Sequence, residues 1–468
     1  MPNLLLIAAC LSLGLRDMVG MPAGYGALGP WGAAGMTLGA MFAPALWGRH
    51  RFRQMLMKGA STGRAQLIVA GERRLRSAQS AACVVFIGGV LIAGWLDSLR
   101  RVIGDPVLID ELVALVPLLC VRWWLHSAQH RSERLLHGAQ ILGKIDRGEP
   151  VYPLGRTSTF ALGAARQELA LAVLPVLALL GWGETVAWLI PRLAPDMPVG
   201  IAELLQLLGA VVLLAVSPPF LAWVLGTTRL AAGELRERLE GIAARARVGL
   251  RDIRVWRTRG LLSNAAMTGL LGPLRVVLIT DGLLDRLTLP QLEAVMAHEV
   301  GHAKLAHLPW LAGSLVGPVL IVASAGSWML AEMGSRSARW AEVSEAWGSG
   351  VIAAGGLLVG FFVFGVVSRA FEREADAFAA GSLSDQGLVS ADASEALSSA
   401  LLAVTAANRG DPSRFSFRHG TVTGRVASLR ELVGARWRDS RARRAGKWAR
   451  GCTALLVVLG IVGTIVVG

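Results

Sequence analysis

The stretch His298-Glu-Val-Gly-His302-Ala-Lys-Leu-Ala-His307-Leu-Pro-Trp-Leu-Ala-Gly-Ser-Leu-Val-Gly-Pro-Val-Leu320 joins two signals that rarely meet. Its first five residues place two imidazoles four apart. Positions i and i+4 share one face of a helix, so His298 and His302 can present two nitrogens to one metal ion. Glu299 is one step round and placed to act as a base on a water at that metal. From residue 309 the sequence is almost wholly apolar to 331, long enough to cross a bilayer. A polar, metal-binding helix thus runs straight into a membrane span.

The rest of the chain fits that beginning. Of 468 residues 53% are apolar and 17% charged, and the mean hydropathy is +0.52. A soluble globule carries about a quarter charged residues. Apolar runs near 27–47, 79–97, 107–125, 169–190, 201–225, 309–331, 351–370 and 452–468 predict a polytopic, mainly α membrane protein of seven or eight spans. The run at 3–15 is too short to span alone. Net charge is +14, and the cations lie between spans. Residues 49–78 carry Arg49, Arg51, Arg53, Lys58, Arg64, Arg73, Arg74 and Arg76 against Glu72 alone. Basic segments alternate with short, nearly balanced ones at 98–106, 191–200 and 332–350. That is the positive-inside pattern, which places the basic side on the cytoplasm, and it argues against a nucleic-acid partner. Cys10, Cys83, Cys120 and Cys452 stand alone in separate apolar runs, which suggests neither disulfides nor a thiolate metal site.

Five segments follow: a transmembrane region at 1–226, a water-exposed part at 227–308, two spans at 309–371, a second exposed part at 372–451 and a last span at 452–468. In 227–308 the pattern changes. A charged helix runs through Glu234–Glu240, and short β-branched pieces at 252–258 and 275–280, with 262–269 between them, predict a small antiparallel sheet. Thr288-Leu-Pro-Gln291 is a capping box that starts the metal-binding helix.

A catalytic zinc site has three protein ligands and an open position. The third candidate is Glu372 in Glu372-Arg-Glu-Ala-Asp376, where two spans return the chain to the face of His302. Glu374 competes with it. Asp376 shares the face of Glu372 and is placed to bond the distal N–H of a ligand histidine. His126, His130 and His137 read as a basic helix, His307 lies off the ligand face, and Asp110, Glu111, Arg122, Glu184 and Glu203 fall within or at the ends of spans.

Asn264-Ala265, the Leu-Thr-Leu-Pro-Gln-Leu-Glu-Ala-Val-Met-Ala lead-in, the His298–His307 stretch and Ser368-Arg369…Glu372-x-x-Ala375-Asp376 together resemble the integral-membrane zinc peptidases. That group includes the HtpX-like stress proteases and the type I CAAX prenyl endopeptidases. The resemblance covers about 227–430 and implies a gluzincin-like catalytic part with one Zn²⁺ per chain. It implies zinc ligands at His298, His302 and Glu372 and a general base at Glu299. His419 and Arg425 match a downstream His–Arg pair that holds the substrate carbonyl and its oxyanion. The segment with Asn264 and Ala265 would be an edge strand receiving an extended substrate, with the main chain of Asn264 among its donors and acceptors. Gly420 departs from the pattern, which has Pro there. The implied activity is endopeptidase action on membrane-associated or misfolded polypeptides from the cytoplasmic side of a bacterial inner membrane. The alternative is a non-catalytic membrane scaffold with structural zinc, which would require a fourth protein ligand.

Overall fold

The computed structural model describes residues 2–16, 29–146, 151, 155–197, 199–343, 348–384 and 388–467. The side chains of His137 and Glu203, and residues 385–387, lie outside the described residues. The chain divides into two compact units, Met1–Ser217 and Pro218–Gly468.

The first unit is all helix: α1 Pro2–Arg16, α2 Gly29–Thr62, α3 Ala65–Leu91, α4 Trp95–Ile103, α5 Ile109–Asp146, α6 Thr157–Glu168 and α7 Leu174–Leu193, with α8 Val199–Val224 running over the unit boundary. Leu6, Leu13, Phe86, Leu115, Leu118 and Leu125 form its apolar centre. Its buried charges pair with one another, as charges withdrawn from water must. Arg100 binds Asp110 at 2.6 Å and Glu111 at 2.8 Å. Arg122 pairs with Glu168, which also lies 2.9 Å from His126. Glu184 accepts the Leu108 N–H at 2.6 Å. His130 bonds Thr157 at 2.9 Å, so His126 and His130 serve separate contacts and not one metal.

Among the described residues five helices are long and apolar enough to cross a membrane: Thr157–Leu193, Leu205–Val224, His307–Arg336, Gly350–Ser382 and Arg441–Val466. They contain the expected spans at 169–190, 309–331 and 351–370 and cover most of those at 201–225 and 452–468. The expected span at 79–97 falls on α3 and α4, which bend by 62° where they meet. Of the expected spans at 27–47 and 107–125, residues 29–47 lie in α2 and 109–125 in α5, and neither helix is among those long and apolar enough to span. Asp110, Glu111 and Arg122 interrupt the second, and Gly and Ala dilute the first before Arg49, Arg51 and Arg53.

The second unit holds α9 Glu234–Arg245, α10 Asp281–Leu284, α11 Leu289–Lys304, α12 His307–Arg336, α13 Ala338–Val343, α14 Ser349–Ser382, α15 Ala391–Ala407, α16 Val422–Glu431 and α17 Arg441–Val467. Its sheet comprises β1 Thr228–Arg229, β2 Asp252–Trp256, β3 Ala265–Thr268 and β4 Val276–Thr280, in the order β1-β2-β4-β3. The sheet is mixed, which corrects the antiparallel expectation: β2 and β4 run parallel, while β3 pairs antiparallel with β4. The chain passes β2, turns back through β3 at the edge, and returns as β4 alongside β2. Asp281 organises that turn, accepting the Thr258 N–H at 2.9 Å, the Thr258 hydroxyl at 2.7 Å and the Arg259 N–H at 2.7 Å. Val277 and Ile279 of β4 join Leu239, Ile242, Leu292, Met296 and Leu397 in the core beneath α11.

α17 is longer than the expected 452–468 segment. It begins at Arg441 and packs along α12 and α14.

Candidate metal centre

α11 begins as the sequence predicts. Thr288 caps it reciprocally with Gln291, with Pro290 in the first turn. Leu292, Met296 and Val300 face the core, which fixes the rotation of the helix and turns His298 and His302 toward α14. α14 emerges from its apolar stretch at Ser368 and presents Glu372 to the same point. His298 Nε2 and His302 Nε2 lie 3.2 Å apart. Glu372 Oε2 is 3.7 Å from the first, and Glu372 Oε1 is 3.6 Å from the second.

These three residues offer ligand atoms that all lie within 4.8 Å of one another. Two nitrogens bound tetrahedrally to one zinc at about 2.0–2.1 Å stand about 3.3 Å apart, so the imidazole pair fits the ion. Glu374, two residues on, points away and is not part of the cluster, which removes the competing ligand. No other such cluster is present among the described residues.

The surroundings prepare both imidazoles. Asp376 Oδ1 lies 2.9 Å from His298 Nδ1. Burial draws the His298 pKa down, and the Asp376 carboxylate outweighs it, so the net shift is upward. Burial and the neighbouring His298 hold His302 well below the usual histidine range, in the neutral form that a metal needs. Glu299 is pushed up by burial and accepts the Met267 N–H at 2.9 Å.

Asp376 is itself held. Arg425 clamps it through two bonds, Nε to Oδ2 at 2.7 Å and Nη2 to Oδ1 at 2.6 Å, and its Nη1 lies 3.2 Å from Glu372 Oε2. Arg425 is thus a buried partner of both carboxylates. His419, 47% exposed, lies with Nδ1 2.9 Å from Glu372 Oε1. It sits in a tight turn closed by paired main-chain bonds between Ser416 and Gly420, of 2.9 and 2.8 Å. Gly420 has φ +72°, which glycine adopts freely and Pro cannot. The departure from the Pro of the resembled pattern therefore has a local conformational cause.

β3 lies at the sheet edge. The main-chain groups of Asn264 are both taken by Thr280: its N–H donates to the hydroxyl at 2.9 Å and its C=O accepts the N–H at 3.0 Å. That differs from the expectation that Asn264 offers main-chain bonds. Alternation along an antiparallel ladder turns Ala265 and Met267 to the open edge instead, and the Met267–Glu299 bond confirms the direction. Asn408, at the end of α15, anchors the start of this strand through two bonds to Ser263, at 3.0 and 2.7 Å. Asn408 carries no local signal for this role, because it lies 145 residues from Ser263.

Nor does the sequence expose the role of His307. This residue is fully buried and stacks on Phe371 with ring centroids 4.3 Å apart. Its Nδ1 lies 2.9 Å from His302 Nδ1 and its Nε2 lies 3.0 Å from Glu374 Oε2.

Residues 229–433 match the sequence profile described as Peptidase family M48. No curated protein matches the chain. Among solved structures, the crystal structure of S. mikatae Ste24p is similar over 84% of this chain and 98% of that chain, at 17% identity and a TM-score of 0.43. The matched segment contains His298, Glu299, His302, Glu372 and His419, and residues 229–433 are thus a Peptidase family M48 domain carried in a multi-pass helical membrane protein.

Proposed function

We propose that this chain is a zinc-dependent endopeptidase that hydrolyses peptide bonds in membrane-associated or misfolded polypeptides, with one zinc held by His298, His302 and Glu372. The observation that carries this reading is the convergence of those three donors beside Glu299 and an open strand edge. Zinc bound there would supply Lewis acidity to the scissile carbonyl and to the attacking water.

The chain's own groups do the remainder. The main-chain groups of Ala265 and the C=O of Met267 on β3 receive an extended substrate by hydrogen bonds, and the exposed side chain of Asn264 borders it. Glu299, pushed up by burial, takes the proton of the attacking water and delivers it to the leaving amine. His419 leaves Glu372 to donate to the developing oxyanion. Arg425 acts behind the site, holding Asp376 and Glu372, and Asp376 orients His298. The positive-inside charge pattern supports placing this site at the cytoplasmic face of a bacterial inner membrane.

A scaffold with structural zinc would close the site with a fourth protein ligand, and only three donors converge among the described residues. The test is cleavage of unfolded casein by the detergent-purified protein. Chelation should abolish it, and one equivalent of zinc per chain should restore it. Cleavage that survives complete metal removal would overturn the reading.

A further inference from the structure

His298 meets a carboxylate directly. His302 does not: its distal nitrogen meets His307, and His307 meets Glu374. The proton order along this line follows from its far end. An ionised carboxylate only accepts, so His307 Nε2 carries the proton it shares with Glu374. The neutral His307 then has a lone pair on Nδ1, so His302 Nδ1 must carry the proton between the two rings. That leaves the lone pair of His302 on Nε2, the atom 3.2 Å from His298 Nε2 in the donor cluster.

Glu374 is held by α17. Arg450 grips both of its oxygens, with bonds of 2.9 Å to Oε2 and 2.7 Å to Oε1, and Arg443 also donates to Oε1. The carboxylate lies against α17 at Gly446, where a Cβ would overlap it. Glu374 and His307 are each fully buried, and Phe371 stacks on His307 with Arg450 5.6 Å from the same ring. Arg443 and Arg450 both lie beyond residue 433, where the family match ends.

We propose that the C-terminal helix is part of the metal centre: Arg443 and Arg450 fix Glu374, which through His307 holds His302 in its metal-binding tautomer. His307 and Glu374 are positioning residues. This inference rests on the zinc site proposed above. The line of contacts is unbroken and needs no group that the chain lacks. It also gives a reason for four polar side chains to be spent where two spans meet a third, since buried ionic groups without such a task are costly.

The experiment is zinc affinity of the full-length, detergent-purified protein by competition with a chelator, with thermal unfolding of the metal-free forms recorded beside it. Three variants decide it: His307→Leu, His307→Gln, and Arg443→Gln with Arg450→Gln together. Loss of an outer partner of a ligand histidine weakens metal binding by about 10–100-fold, and His307→Leu should show that loss. His307→Gln should recover most of it, because an amide can accept from His302 and donate to Glu374. The double arginine variant should weaken zinc about tenfold, in the range of other outer-partner losses. It also decides the matter if His307→Leu does not fold, because both arginines reach the surface. Wild-type affinity in His307→Leu and the double variant would overturn the proposal, as would equal loss in His307→Leu and His307→Gln. A merely structural network would lower the unfolding temperature of the metal-free forms and leave affinity unchanged. Wild-type protein that binds no zinc would instead remove the metal reading on which the proposal stands.

Discussion

Arg425 touches both Asp376 and Glu372, and no other arginine or lysine does so among the described residues. Truncating it would leave two buried carboxylates without their shared partner. Breaking a buried pair in this way costs about 3–5 kcal/mol. Arg425→Ala should therefore lower the thermal unfolding temperature of the metal-free protein by several degrees, and an unchanged unfolding curve would contradict the assigned contacts. Arg425 also shows what one residue's identity can and cannot reveal in a sequence. Its importance was legible from the motif six residues after His419. Its partners were not, because Asp376 lies 49 positions earlier on another helix. The same holds for His307. Helical geometry places it correctly off the ligand face, but only tertiary packing shows that this face meets Glu374. The convergence of His298, His302 and Glu372 and the contact from Asp376 were legible because short spacings on two helices and an even number of crossings place them together.

Elements set how those residues approach one another. The turn that carries His419 depends on Gly420 at φ +72° and on its N–H bond to Ser416. Gly420→Pro removes that N–H and forces φ to about −65°. His419 should move from its station, and a lost oxyanion donor costs about 10²–10³ in kcat. Steady-state kinetics on casein should show that loss with zinc stoichiometry intact. Activity within a factor of two of wild type would show that the turn does not position His419. At this scale the start of α11 was fully readable, because Thr288, Pro290 and Gln291 form a local signal. Two features were not. The parallel pairing of β2 with β4 depends on β3 folding to the edge, a choice made by Asp281 and Asn408 over distance. The start of α17 was hidden because its first turns are basic, with Arg441, Arg443, Arg444, Lys447 and Arg450 preceding the apolar run. A search by hydropathy begins only where the charges stop.

At the scale of the molecule, the arrangement is a small sheet and a polar helix joined to spans on which the rest of the site is built. α14 is the clearest case: one helix serves first as a span and then, past Ser368, as the carrier of Glu372, Glu374 and Asp376. Composition made the membrane class plain, since 17% charged residues cannot cover a soluble globule of this size. The eight apolar runs of the sequence compare with five helices long and apolar enough to span among the described residues, or six when the bent pair α3 and α4 is one span. α2 and α5 are long helices whose apolar stretches are diluted by glycine or broken by paired charges, and a buried ion pair such as Arg100 with Asp110 leaves no trace in a hydropathy average. The most direct test of the proposed hydrolysis is cleavage of unfolded casein by purified full-length protein and by Glu299→Gln, both carrying one zinc per chain. Loss of a general base costs about 10²–10⁴ in rate. Glu299→Gln should show a fall of that size with zinc content and unfolding temperature unchanged; equal rates from the two zinc-loaded proteins would rule out Glu299 as the base.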